Sequence, residues 1–430
     1  MEFFLDNPVR RGSFFLIVLL ISAALCFLAA QRWWAAHLSQ SSDPADLLKA
    51  AEIEPGNAEH WHRLGRFRQY DFERADLPLA VSYYERATQL DPRSARYWMD
   101  LAAAYEMIGR TAQAESAFKR AKAAYPISAQ VAWHFGNFLI RRGDLKRGFA
   151  EIRRAVAADK NLIYPAVSVC WRASGDANLL LDEVLPHAGV AYSSALNYLL
   201  EQKQVGAALV VWRRWVALND AFELRPAFAL IELLLRDQRW DDAKTVWQKS
   251  LQAAGGVVDS SAPGSLVWDG NFERDFLNGG FGWRQRSITG ATIGFETGAA
   301  GARSRALRIE FDGTANLDFQ HVTQLVLVEP GRRYRFRAKL RTSEISTDSG
   351  VQFLIRPRLS SDSQFLVTPA LVGTNDWTDQ ELEFTTGSAT HLLEIIVFRS
   401  SSRKFDNKIK GTVWVSGVSL EPAAVRGGVR

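Results

Sequence analysis

The chain has 430 residues, 47% of them hydrophobic and 23% charged, a globular composition with length for two or three domains that each bury a core. Its 52 basic and 47 acidic residues leave a net charge of +5, too small and too dispersed to announce a nucleic-acid partner. The two cysteines, Cys26 within an apolar run and Cys170, argue against a structural disulfide and leave no thiolate metal cluster.

Residues 14–30, FFLIVLLISAALCFLAA, carry no charge. Continued to residue 36, the run reaches the roughly 20 residues that cross a bilayer as a helix. Trp33 and Trp34 then stand at its outer end, and the Arg32 stem can snorkel to the interface. Arg10 and Arg11 precede the run, so the positive-inside tendency predicts a cytoplasmic segment 1–13, a signal anchor 14–36 and the remainder outside. The expected location is a bacterial inner membrane, crossed once. A cleaved signal peptide is the rival reading, but cutting at Ser22-Ala23-Ala24 would leave the apolar stub LCFLAA. Lipidation at Cys26 is disfavoured by Leu25, which stands where a small residue is wanted.

Residues 43–254 repeat a helical pattern. Trp98, Leu101, Ala102, Tyr105, Ala114, Phe118, Ala121 and Pro126 fall at successive offsets of a 34-residue helix-turn-helix unit. Trp61, Leu64, Gly65, Ala80, Tyr84, Ala87 and Pro92 form the preceding unit, with three extra residues between its helices around positions 73–78. Phe135, Gly136, Leu139, Gly148, Ile152 and Ala155 form the next. This spacing resembles the tetratricopeptide repeat. Small residues let paired helices approach, aromatic residues fill the gaps between hairpins, and proline stops the second helix. One hairpin cannot bury its face alone, so the stack must continue. It continues in degenerate form through Ala208, Trp212, Trp215, Ala243 and Trp247, with an irregular stretch at 161–189. The resemblance implies a protein partner for the solenoid. His60, His62, His134 and His187 show no metal-ligand spacing, and the basic cluster at Arg141, Arg142, Lys146, Arg147, Arg153 and Arg154 reads as a solvated face.

Residues 255–264 are a small-residue linker, after which a two-residue period takes over. Strands are expected at 306–311, 321–328, 333–341, 351–359, 380–384, 391–398 and 412–420, which predicts an antiparallel β-sandwich over 265–422 and a flexible tail at 423–430. The order DGNFE (269–273), GFGW (280–283), VEPGRRYRFRAKLR (328–341), TNDWTDQELEFTT (374–386) and VWVSGVSLEP (413–422) resembles carbohydrate-binding modules with a galactose-binding-like jelly roll. The predicted fold class is therefore multidomain, α then β: a transmembrane helix, a tetratricopeptide-type α-solenoid and a C-terminal jelly roll.

That resemblance implies a polysaccharide ligand and points to Phe281 and Trp283 as stacking rings, with Arg284, Arg356 and Arg358 for the hydroxyls. Against this, Trp283, Trp377 and Trp414 can equally plug the ends of a sandwich. A structural calcium is disfavoured, because Glu273 matches one acidic position while Ser416 and Gly417 stand at the other. No cofactor and no metal are expected. Between Arg333 and Arg341 every second residue is basic, and DQELEF places Asp379, Glu381 and Glu383 at the same period. Adjacent strands would set acids against bases and make the row a register device; contact with an anionic polysaccharide or headgroups is the alternative. No nucleophile elbow, phosphate loop or zinc-protease motif is present. The expectation is an anchored extracytoplasmic scaffold in envelope polysaccharide assembly or export, with no catalytic residues. A pure protein-assembly factor and a glycan-processing enzyme are the alternatives.

Overall fold

The computed structural model describes residues 8–41, 43–71, 74–218, 220, 222–255, 264–298 and 305–423. Most of the linker expected at 255–264 and of the tail expected at 423–430 lies outside the described residues, as do the first seven residues of the segment 1–13. The chain forms two compact units, residues 1–186 and 187–430.

In the first unit a single uninterrupted helix, α1 (Pro8–Ser39), contains the apolar run and is long and apolar enough to cross a membrane. Its last turns are not free. Ala35 and Leu38 are buried against Ala50 of α2 (Pro44–Ile53), a helix started by Asp43, whose carboxylate accepts from Ala45 N. Arg32, toward the end of α1, pairs with Glu54 just beyond α2.

Three helix pairs follow: α3 (Ala58–Tyr70) with α4 (Leu77–Leu90), α5 (Ala95–Met107) with α6 (Thr111–Ala124), and α7 (Ala129–Arg141) with α8 (Leu145–Ala158). The first helices of the pairs start 37 and then 34 residues apart, so the extra residues read in the first unit sit in its α3–α4 loop. Close approach explains the small residues. A Cβ on Gly65 would lie 2.6 Å from the Tyr84 ring, and one on Gly136 would lie 2.8 Å from Ile152. Leu64, Ala80, Tyr84, Ala87, Leu101, Ala102, Tyr105, Ala114, Phe118 and Ala121 are buried. Trp61 and Trp98 are half-buried and play one role in successive repeats: each indole N–H donates to a proline carbonyl six residues earlier, Pro55 and Pro92. The basic cluster is tied between helices by Arg141, bidentate on Glu106, and Arg147 on Glu115, while Arg154 pairs with Glu151 within α8. Buried His62 bridges α3 to α5 through Asp100 at 2.6 Å. The unit closes with α9 (Ile163–Ser174), the single turn α10 (Ala177–Leu179) and a π turn at Leu180–Val184, in the stretch whose pattern was irregular.

The second unit joins two helix pairs to the sandwich. The pairs are α11 (Gly189–Glu201) with α12 (Val205–Val216), and α13 (Leu224–Arg236) with α14 (Trp240–Ala253). The strands are β1 (Arg284–Gln285), β2 (Ala291–Thr297), β3 (Arg305–Asp312), β4 (Phe319–Leu327), β5 (Arg333–Ile345), β6 (Gln352–Pro357), β7 (Leu366–Val367), β8 (Gly373–Thr385), β9 (Leu392–Arg399) and β10 (Lys410–Pro422). They form two antiparallel five-stranded sheets, ordered β1-β4-β9-β6-β7 and β2-β3-β10-β5-β8. Ile309, Phe336, Leu340 and Val413 of one sheet share a core with Val322, Phe353, Ile395 and Val397 of the other.

The register of β5 on β8 sets Arg335 opposite Glu383, Arg337 opposite Glu381 and Lys339 opposite Asp379. Arg333 and Arg335 both reach Glu383, at 2.7 Å and 2.5 Å, while Tyr334, Phe336, Ala338 and Leu340 fill the core side. Arg333, Arg335 and Arg337 are therefore neutralised across the ladder, while Lys339 lies opposite Asp379 and Arg341 stands at the Trp414 ring. At one end of the sandwich, fully buried Arg399 donates to Asn316 Oδ1, Leu317 O, Thr347 Oγ1, Ser349 O and Asn407 O, pinning three loops to one side chain.

Candidate functional site

The residues proposed from the sequence for sugar contact do not form one site. Trp283 is 1% exposed; its ring lies 4.9 Å from that of Phe272 and its indole N–H donates to Asp269 O at 3.1 Å. A ring packed in this way offers no face to a ligand, so the stacking role read for Trp283 gives way to a core role. The reason is local. Gly279 and Gly280 bring the loop against α13 and α14, where a Cβ on Gly280 would lie 2.5 Å from the Trp247 ring. Gly280 also holds φ at +55°, in the left-handed region glycine favours. The GGFGW turn thus faces a repeat helix rather than solvent.

Phe281 packs edge-on against Trp247 of α14, with ring centroids 6.0 Å apart, and Trp268 packs edge-on against Trp247 at 5.7 Å. Arg284 is committed to Glu232 of α13 at 2.5 Å and to Gly280 O at 2.6 Å. The structure does bring Arg356 and Arg358 together, since both approach Glu394 of β9, at 2.8 Å and 3.7 Å. This pair lies on the β1-β4-β9-β6-β7 sheet, with Arg356 also reaching Gln320 at 3.4 Å.

Neither of the other two tryptophans lies in the buried core. Trp414 alternates with the buried Val413 and Val415, so its half-buried ring lies on the outer face of the β2-β3-β10-β5-β8 sheet. There its N–H donates to Glu296 at 2.9 Å and the Arg341 guanidinium stands 5.0 Å from its ring. It is a face residue rather than an end plug. Trp377 is half-buried on β8.

The opening motif is tied to the closing strand by backbone. Val418 N donates to Gly270 O at 2.9 Å, and a Cβ on Gly270 would overlap Val418 O. The Asp269 carboxylate accepts from Glu273 N and Arg274 N, at 2.9 Å and 3.0 Å, and burial pushes its pKa up to about 6. Ser416 and Gly417 precede Val418 on the closing strand. Among the described residues no three His, Cys, Asp or Glu side chains are grouped to hold a metal.

Sequence reasoning named Trp247 and Phe281 separately but missed their meeting with Trp268, and missed Trp240 and His391, which stack at 5.3 Å. The available signal was two tryptophans on one face of α14, of which only Trp247 entered the repeat pattern.

No protein family's profile matches the chain. It is 29% identical over 175 residues to the tRNA(Glu)-specific nuclease WapA of Bacillus subtilis subsp. natto, a match that covers 39% of this chain and spans only 7% of that protein's length. Among solved structures it is similar to YrrB, a TPR protein with an unusual peptide-binding site, at 15% identity and a TM-score of 0.26, over 49% of this chain and 92% of that one. It is also similar to Family 16 Carbohydrate Binding Module-2, at 18% identity and a TM-score of 0.26, over 36% of this chain and 98% of that one.

Proposed function

We propose that the chain is a membrane-anchored scaffold acting outside the cytoplasm, whose repeat hairpins dock a protein and whose sandwich holds a glycan, without chemistry of its own. Assembly or export of an envelope polysaccharide would use such a combination. The observation that supports the anchored scaffold most directly is the junction of α1 with α2: the apolar helix runs without a break into a hairpin buried through Ala35, Leu38 and Ala50. Helical hairpins with polar outer faces offer extended surfaces to protein partners. Capture of partners on the full chain from detergent-solubilised membranes, with a glycan array probed by the same preparation, tests both halves. The expected result is one recurrent protein and a restricted set of glycans. Hydrolysis of a bound polysaccharide by the purified chain would overturn the non-catalytic reading.

A second reading is a protein-assembly factor without sugar affinity. It is favoured by the packing of the 279–284 loop on α13 and α14, which uses up the residues expected to face a sugar. Protein capture with an empty glycan array would select it.

A further inference from the structure

We infer that the glycan site lies in a groove between helix α14 and the sandwich, within the second compact unit, and takes a linear oligosaccharide. This inference rests on the glycan-binding reading given above and locates its site. One hollow of about 310 Å³ is lined by Lys244, Trp247 and Gln248 of α14 and, from the sandwich, by Trp268, Phe281 and Leu327. A second, of about 360 Å³, shares Lys244 and Leu327 and adds Trp240, Asp241, Glu329 and His391. Each is at the small end of the range of ligand sites, roughly 300–1,000 Å³.

Trp240, Lys244, Trp247 and Gln248 stand at spacings of four, three and one on one face along about 12 Å of axis, with Trp240, Lys244 and Gln248 reaching solvent and Trp247, 7% exposed, showing only an edge. Aromatic carbon alternates there with an ammonium and an amide, a polarity that repeats along a line. A sugar chain has the matching alternation, with C–H faces that pack on rings and hydroxyls that need donors and acceptors. A lipid tail would leave Lys244, Asp241 and Glu329 without use, because an acyl chain offers them no hydrogen bond.

Two further observations point to a ligand. Trp268 is 5% exposed, lines the groove, and its indole N–H has no hydrogen-bond partner among the described residues. Folded chains rarely leave a buried donor unpaired, and a sugar hydroxyl or ring oxygen would accept from it. Lys244, shared by both hollows, is exposed and takes part in no ion pair or hydrogen bond among the described residues. Its ammonium is therefore available to hydroxyls or to a uronate.

The test uses the full chain in detergent and isothermal titration with xylohexaose, cellohexaose and hexagalacturonate, extended by a glycan array. Lys244→Ala combined with Gln248→Ala changes two exposed side chains, and Trp268→Phe removes the N–H while keeping a ring. The double variant should weaken binding at least about tenfold and Trp268→Phe about 3- to 10-fold, the loss expected of one or two hydrogen bonds. Arg358→Ala, at Glu394, should bind as the wild type does. A loss in the double variant confined to hexagalacturonate identifies an acidic chain, and an equal loss on all probes a neutral one; both support the site. Wild-type affinity in both groove variants overturns the groove and leaves the glycan reading standing. A wild-type chain that holds no saccharide on the array overturns both.

Discussion

Asp269 shows how one residue can carry a pH signature. Burial raises its pKa to about 6 against two backbone N–H bonds that lower it, so the folded state holds the proton more tightly than the unfolded chain does. Its contribution to stability is complete below the ordinary carboxylate value near 3.8 and is lost as pH rises through about 6. Asp269→Asn, neutral throughout, should remove that slope. Thermal unfolding between pH 4 and 7 should show the wild type losing ground to the variant as pH rises; a constant difference across the range would refute the assignment. Glu54, Glu115 and Glu383, held below their usual range, act in the opposite sense in both proteins and cancel in the comparison.

At the scale of elements, the β5–β8 ladder was legible because strand alternation is strict: three of the five basic positions at period two face the three acids at the same period. Replacing both Glu381 and Glu383 with Lys should lower the unfolding temperature at low ionic strength and have a smaller effect in 1 M salt, where the screening length falls to about 3 Å. A decrease independent of salt would show that the acids act through something other than charge. The repeats were legible for a related reason, since small residues at Gly65, Ala102 and Ala114 sit where helices must touch. The 279–284 loop was not. A turn rich in glycine and aromatic residues reads the same whether it faces solvent or the Trp247 ring, and only the tertiary contact at Gly279 and Gly280 separates the cases. The composition change near residue 255 marks where helix gives way to strand, whereas the compact units divide after Pro186, because Trp247, Glu232 and Phe228 pack or pair with the sandwich. Surface shared between two elements far apart in sequence leaves no local periodicity.

For the whole molecule, the reading of α1 as an uncleaved span predicts that the chain stays in the membrane fraction through alkaline carbonate extraction. N-terminal sequencing of the extracted protein should find residues preceding Ser22; a mature start after Ala24 would decide for cleavage. Leu38→Asp, which places a charge in the contact with Ala50, should lower the unfolding temperature of the first unit without releasing the chain from membranes.

In the proposed anchored reading the span and the first arm of the hairpin are one helix, α1, so no swivel would separate bilayer from repeats. Where bilayer thickness changes, a span adjusts its tilt. Here the Ala35–Ala50 contact and the Arg32–Glu54 pair would carry that adjustment into α2, so the lipid environment would set the angle at which the first hairpins meet a partner.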